Sequence, residues 1–275
     1  MKNNKFWTGE RLETHIFSEN MSEHLHRYAF AMQFIEKKTV LDIACGEGYG
    51  SNLLAGKAEK VYAVDIDANT IEKASIKYNC KNLEFKTGTT DSIPLPNNSI
   101  DIVISFETIE HHNKHDLMLL EIKRVLKTNG ILIISSPDKK YYSDETGHVN
   151  EFHIKELYKG EFQALINNFF KYSTMYKQKY LSGSILLPEE DVNGFNFYSG
   201  YYENLTIDTN LNPIYNLAVA SNQIFDKPKA SFFFNENVLE STRTEVLESL
   251  KSTYTWKTGE FVIRPFRFLR KFFRK

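Results

Sequence analysis

The sequence predicts an α/β protein, with a mostly parallel sheet and helices on both faces. Three observations predict it. From about residue 38 to 136 short apolar runs alternate with helical patterns, which implies right-handed strand–helix–strand crossovers. The stretch "VLDIACGEGYG", Val40 to Gly50, runs a buried strand into Gly46, Gly48 and Gly50. The next apolar run ends on an acid, Asp65.

The elements follow in order. Val40–Ala44 is a strand, and a helix runs from about Tyr49 to Ala58. Val61–Val64 is the second strand, and Asp67 is placed to cap a helix reaching about Tyr78. Leu83–Lys86 and Ile100–Ser105 are further strands, with the turn chemistry of "PLPNNS" between them. Asn113 is expected to cap the next helix, in which Met118, Ile122 and Val125 share a face, and Gly130 to stop it. Ile131–Ser135 is the fifth strand. Beyond it come a helix near 155–169, a strand near 171–176 and a last strand near 214–220. Residues 1–37 read as an N-terminal helical lid, with a helix near 22–36. Residues 38–235 read as the main domain with an insertion at 178–212, and 236–275 as a helix and basic tail.

Composition sets the class. The chain has 275 residues, 41% hydrophobic and 25% charged, with a net charge of −1. That excludes a strongly basic nucleic-acid binder and fits a soluble protein. Two cysteines, Cys45 and Cys80, make no disulfide framework and fit a reducing cytoplasm. "MKNNKFWTGER" has no apolar core of a signal peptide, and no run is long enough to span a membrane.

The glycines state the chemistry. In an open parallel sheet ligands bind beyond the carboxyl ends of the strands, where glycine lets backbone approach closely. The spacing G-x-G-x-G is shorter than the dinucleotide fingerprint and suits a ligand without phosphates. Asp42 can meet a cationic group, and Asp65 can accept from both hydroxyls of a ribose. One acid for an amine and one for a ribose point to S-adenosylmethionine.

Four segments in order carry a family resemblance: "VLDIACGEGYGS", "VYAVDID", "FKTGTTDSIPLPNNSIDIVISFETIEHH" and "LKTNGILIISSPD". The chain resembles the class I S-adenosylmethionine-dependent methyltransferases of the small-molecule type (methyltransferase type 11-like). "TGERLE", "EHLHRYAFA", "GHVNEFHIKEL", "LSGSILL" and "IYNLAVASNQ" resemble flanks of bacterial methyltransferases of surface-polysaccharide synthesis. The resemblance implies a Rossmann-like fold with seven strands, plus the lid and C-terminal extension. It implies that Asp42 organises the loop around the cofactor's amino acid moiety and that Ala44 and Gly46 offer backbone to it. Gly48 and Gly50 complete the loop, Asp65 holds the ribose and Ile66 packs on adenine. Thr89 and Thr90 flank the adenine edge, with Thr89 standing where many relatives carry Asp. Phe106 lines the cofactor.

Methyl transfer to a sugar hydroxyl needs a base, whereas a phosphate oxygen needs cationic clamps. "FETIEHHNKH" offers Glu107, His111 and His112 at the ligand edge, and "GHVNEFHIKEL" offers His148, with Glu151 on the substrate wall. Read structurally, the same groups hydrogen-bond into their loops or cap a helix. No metal site is expected, because His111 and His115 lack a third ligand nearby. In "HLHRY", His24, Arg27 and Tyr28 are candidates for acceptor binding, and Arg11 of the lid joins them; the plain alternative is an amphipathic helix packing on the domain.

The expected activity is O-methylation of a sugar hydroxyl or phosphate-type group on a cell-surface polysaccharide precursor, in the cytoplasm, beside a glycosyltransferase partner and without nucleic acid. The alternatives are methylation of a quinone or other small aromatic, and a non-catalytic cofactor-binding scaffold for a glycosyltransferase. The tail 257–275 carries seven Lys or Arg against Glu260 and reads as a basic amphipathic helix suited to peripheral contact with an anionic membrane, or to docking on a protein.

Overall fold

The computed structural model describes residues 19–181, 197–202, 204–207, 212–234, 244 and 247–272. Seven strands form one sheet: β1 (Thr39–Ile43), β2 (Lys60–Asp65), β3 (Leu83–Thr87), β4 (Ile100–Ser105), β5 (Leu126–Pro137), β6 (Tyr172–Gln178) and β9 (Tyr215–Ser221). Their order is β3-β2-β1-β4-β5-β9-β6. The first five are parallel, and β9 runs antiparallel between β5 and β6. The strand order reverses between β1 and β4, so the crevice at their carboxyl ends is the expected ligand site. β7 (Tyr198–Tyr201) and β8 (Asn204–Ile207) form a separate hairpin within the expected insertion.

The strands are apolar on both faces because helices cover both. On one face Leu41, Ile43, Val103, Leu132 and Ile134 meet α4 (His115–Val125) and α5 (Lys159–Phe169) through Met118, Ile122, Phe162 and Ile166. On the other, Val40, Ile102, Ile104, Ile133 and Val219 meet α1 (Glu19–Ala31) and α2 (Tyr49–Ala55) through Tyr28, Phe30, Ala31 and Leu54. Full burial of a side chain such as Phe162 contributes about 2–3 kcal/mol.

Helix ends follow local chemistry, with two exceptions. Asp67 caps α3 (Ala68–Lys77), accepting from the backbone of Asn69 and Thr70, a cap worth about 1 kcal/mol. Asn113 does not cap α4: Lys114 occupies that position, and its N–H donates to His112 Nδ1 at 3.2 Å. Gly130 does not stop α4 either. Leu126 takes extended backbone directly after Val125, so Gly130 lies inside β5, where its carbonyl accepts from Ser221 Oγ at 2.8 Å. The N-terminal helix runs over 19–31 rather than 22–36.

A long helix, α6 (Tyr254–Phe272), follows residues 247–252, which are also helical. Among the described residues no helix is long and apolar enough to cross a membrane.

Candidate active site

A cleft of about 510 Å³ opens along the carboxyl edge of the sheet, from the end of β2 to the segments after β4 and β5. That volume suits a nucleoside-sized ligand with a small second molecule. Its first half is built by the loop after β1. Ala44 and Gly46 both adopt left-handed backbone, φ 62° and 52°, and turn the chain under the cleft. Gly48, at φ 76°, must be glycine for two reasons: the backbone is left-handed, and a Cβ would stand 2.7 Å from the Phe85 ring.

Asp65 closes this half. One carboxylate oxygen accepts from Gly46 N at 2.8 Å and the other from Asp67 N at 3.0 Å. A carboxylate has about four acceptor sites, more than these two backbone bonds use. Ile66 beside it is 70% exposed, an apolar surface set in the cleft wall. Thr89, Thr90 and Asp91 face it from the loop after β3. Lys114 pairs with Asp91 at 2.6 Å, and that hydrogen bond lowers the Asp91 carboxyl to about 2.

Beneath the loop lies Asp42. It is buried and does not line the cleft; it accepts from Ser51 Oγ at 2.6 Å and from Tyr28 Oη at 3.3 Å. Burial raises its carboxyl to about 6. The Tyr28 ring lies over Gly50 and packs edge-on against Phe106 and Tyr49. Gly50 therefore admits the ring rather than the ligand. Cys45 is buried and its thiol is pushed up by that burial, so it fills space.

The second half of the cleft is polar. Glu107 adopts left-handed backbone, φ 50°, at the end of β4. Its Oε1 accepts from Ser135 Oγ at 2.6 Å and lies 3.8 Å from Arg27. Arg27 is buried behind it, donating to Gln178 Oε1 at 2.7 Å, with its guanidinium over the Tyr215 ring at 4.8 Å. His24 lines the cleft and shares a 3.1 Å hydrogen bond with Tyr49 Oη; burial lowers its pKa well below the usual range.

Glu110, His111 and His153 form a cluster in the same wall, with one ligand-capable atom of each within 4.8 Å of the others. Glu110 is 1% exposed, and neither carboxylate oxygen has a hydrogen-bond partner. Burial, then the charge of Glu107, push its carboxyl well up. The Glu110 backbone carbonyl accepts from Ile154 and Lys155 N–H, which ties the loop after β5 to the end of β4.

The histidines divide by tautomer. His111 Nδ1 lies 3.0 Å from the Phe152 carbonyl, which only accepts, so Nε2 carries the lone pair of the neutral ring. His153 Nδ1 lies 2.6 Å from Glu156 Oε1 and is fixed in the same sense. His112 is the reverse: its Nδ1 accepts from Lys114 N and its Nε2 faces Thr90 Oγ1 at 3.3 Å. The His112 lone pair is engaged by backbone, which removes it as a ready base.

The cleft thus gathers Ala44, Gly46, Asp65, Ile66, Thr89, Thr90 and Phe106 of the expected cofactor residues. It also gathers Glu107, His111, His112, His24 and Tyr28. Asp42, Gly48, Gly50 and Arg27 support it from behind. His148 and Glu151 are exposed on the outer side of their loop and do not line it; Asn150 and His153 of the same loop do. His115 turns away from His111 and bonds the His112 carbonyl at 2.8 Å. The expectation that no third ligand stands near His111 fails, because the loop after β5 folds back on β4 and delivers His153. Arg11, with Trp7 and Glu10, lies outside the described residues.

Residues 41–134 match a family model described as a methyltransferase domain. A Mycolicibacterium smegmatis protein, named as a probable S-adenosylmethionine-dependent methyltransferase, is 31% identical over 162 residues, 58% of this chain and 62% of its own length. A ubiquinone biosynthesis O-methyltransferase of Rickettsia typhi is 34% identical over 103 residues, 37% of this chain and 42% of its own. The matched part of the chain therefore spans about six-tenths or less of these relatives. Among solved structures, a Pyrococcus horikoshii protein covers 79% of this chain and 100% of its own at a TM-score of 0.56 and 20% identity. The YcgJ protein of Bacillus subtilis covers 73% and 100% at 0.52 and 16%. These likenesses show a Rossmann-like fold, and the segment matched by the family model supplies the first half of the cleft.

Proposed function

We propose that the chain transfers the methyl group of S-adenosylmethionine to an oxygen of a small acceptor. The cofactor half rests on the methyltransferase domain, on the names of the relatives and on Asp65 and Ile66 beside the glycine loop. Asp65 would accept from the ribose hydroxyls and Ile66 would carry the adenine, and the cofactor would supply the methyl group from its sulfonium. Displacement then needs alignment and a way for the acceptor proton to leave.

One observation carries the acceptor class: Glu107 lines the second half of the cleft, Arg27 is buried behind it at 3.8 Å, and the lining cation Lys114 is paired with Asp91. The Glu107 carboxylate repels a phosphate and suits a hydroxyl. The reading is therefore O-methylation of a sugar hydroxyl of a surface-polysaccharide precursor, with the phosphate-type acceptor disfavoured. His111 and Glu107 are the groups of the expected set that face it. A second reading has its own support: Tyr28, Tyr142 and Tyr215 line the same wall, and one relative is named for ubiquinone biosynthesis, so a hydroxylated aromatic is the alternative. The glycosyltransferase partner and the peripheral membrane contact of the basic tail belong to the first reading. A non-catalytic scaffold has no need of a polar second half.

Incubating the protein with S-adenosylmethionine and panels of nucleotide sugars and of catechol-type quinols, followed by mass spectrometry, tests this. A product heavier by one CH2 in the sugar panel supports the first reading, and one in the quinol panel the second. No product in either, with no calorimetric binding of S-adenosylhomocysteine, refutes the proposal.

A further inference from the structure

We propose that Glu110, His111 and His153 bind a divalent transition-metal cation in the wall of the cleft. Its role rests on the methyltransferase reading: the cation holds the acceptor oxygen and eases loss of its proton.

In this wall stands a buried carboxyl whose two oxygens no hydrogen bond satisfies. A fully buried carboxylate is normally hydrogen-bonded or ion-paired, and one without partners needs an explanation. Glu110 is such a group, and its nearest basic atom, His111 Nε2, lies 4.0 Å away, beyond hydrogen-bonding range. A cation between Glu110, His111 and His153 supplies the missing partner.

The rings are prepared for it. Metal-bound histidines characteristically donate their second nitrogen to a carbonyl or carboxylate, which fixes the tautomer and orients the lone pair. Both outer partners are present: the Phe152 carbonyl for His111 and Glu156 for His153. Glu156 is itself anchored by Ser143 Oγ, and Tyr142 stacks on the His153 ring at 5.2 Å. Asn150 Nδ2 now donates to His153 Nε2 at 3.0 Å; the entering cation takes its place. Two imidazoles and one carboxylate suit zinc or a neighbouring first-row ion, and three protein ligands leave positions open for substrate.

Those open positions lie on the cleft, where an acceptor hydroxyl would sit. The step balances simply. The bound hydroxyl gives its proton to cleft water, its oxygen bonds the methyl carbon, and the carbon–sulfur bond breaks with its electron pair staying on sulfur. The products are a methyl ether and S-adenosylhomocysteine.

The test uses the full chain, stripped with chelator. Zn2+ alone and Mn2+ alone are titrated by calorimetry, and metal content is read by mass spectrometry after desalting. One equivalent of at least one of them is expected. Glu110→Gln, which preserves shape and the backbone bonds to Ile154 and Lys155, should weaken binding at least ten-fold, and so should His153→Gln. Glu156→Gln touches no metal; as a positioning change it should weaken binding about 10- to 100-fold. Neither cation binding near one equivalent, or binding unchanged in the folded Glu110→Gln protein, overturns the proposal. S-adenosylhomocysteine is titrated in parallel. Its binding without any cation binding removes the metal site alone; cation binding without it removes the methyl-transfer role and leaves the site.

Discussion

The ring of Tyr28 occupies the space that any side chain at Gly50 would need: a Cβ there would fall inside the phenol. This pair latches α1 onto the glycine loop, and it makes a prediction with a built-in control. Gly50 is in α2, where alanine would ordinarily stabilise by about 1 kcal/mol. Gly50→Ala should instead destabilise by about 1–3 kcal/mol through overpacking, lowering Tm by roughly 3–10 °C. In a Tyr28→Ala background the same change should turn neutral or stabilising. Thermal melts of the four proteins check it; equal effects in both backgrounds would refute the latch.

Asp65→Ala removes the two acceptors assigned to the ribose. The expected loss is about 2–4 kcal/mol, roughly 30- to 1,000-fold in affinity for S-adenosylhomocysteine. It also frees Gly46 N–H and Asp67 N–H, so a fall in Tm should accompany it. Calorimetry on the folded variant reads the first effect. Unchanged affinity would show that Asp65 serves the loop and not the ligand.

Asp42 predicts a pH dependence. Its carboxyl is raised from 3.8 to about 6 by burial, with Asp65 adding to the rise and Ser51 and Tyr28 opposing it. The folded state thus binds the proton more tightly than the unfolded chain. Stability from this group is full below about pH 4 and is lost as pH rises to about 6, a change of roughly 3 kcal/mol. Glu23, raised by burial to about 7, declines in the same direction. Comparison of the wild type with Asp42→Asn isolates the first: their difference in urea midpoint should grow from pH 4 to pH 6.5 in favour of the variant. A constant difference would show that Asp42 is not the titrating group.

The tail helix can be tested at a lipid surface. α6 presents Phe261, Val262 and Ile263 to solvent, and the 257–275 sequence carries a strong positive charge. Each cation near anionic lipid contributes about 1 kcal/mol. The full chain should co-sediment with phosphatidylserine-rich vesicles at low salt, and a chain ending at Trp256 should not. Equal sedimentation of the two, or none by either, discards membrane contact.

What the residues disclosed depended on how local the cause was. β1 to β5, the Asp67 cap and the placing of Asp65 at a strand end were legible, because each follows from apolar runs and turn chemistry within about ten residues. Gly130 misled because the stop signal it carries is outranked by the sheet: β4 and β9 recruit the chain from Leu126 onward. The choice of His148 over His153 failed for a related reason. Which face of a loop meets a cleft is decided by the backbone bonds from Ile154 and Lys155 to Glu110, partners more than forty positions away. The only local hint was the i,i+3 spacing of His153 and Glu156.

The register pair Gln178–Tyr215 sits at the same edge of the sheet as the cleft, so both ends of the span between them are held there. The ends of that span are fixed side by side by the pairing of β6 with β9. Doubling the length of such a closed loop costs only about 0.6 kcal/mol. The span is therefore an exchangeable cassette, free to differ in length between descendants of this gene at little cost to the sheet that holds its ends.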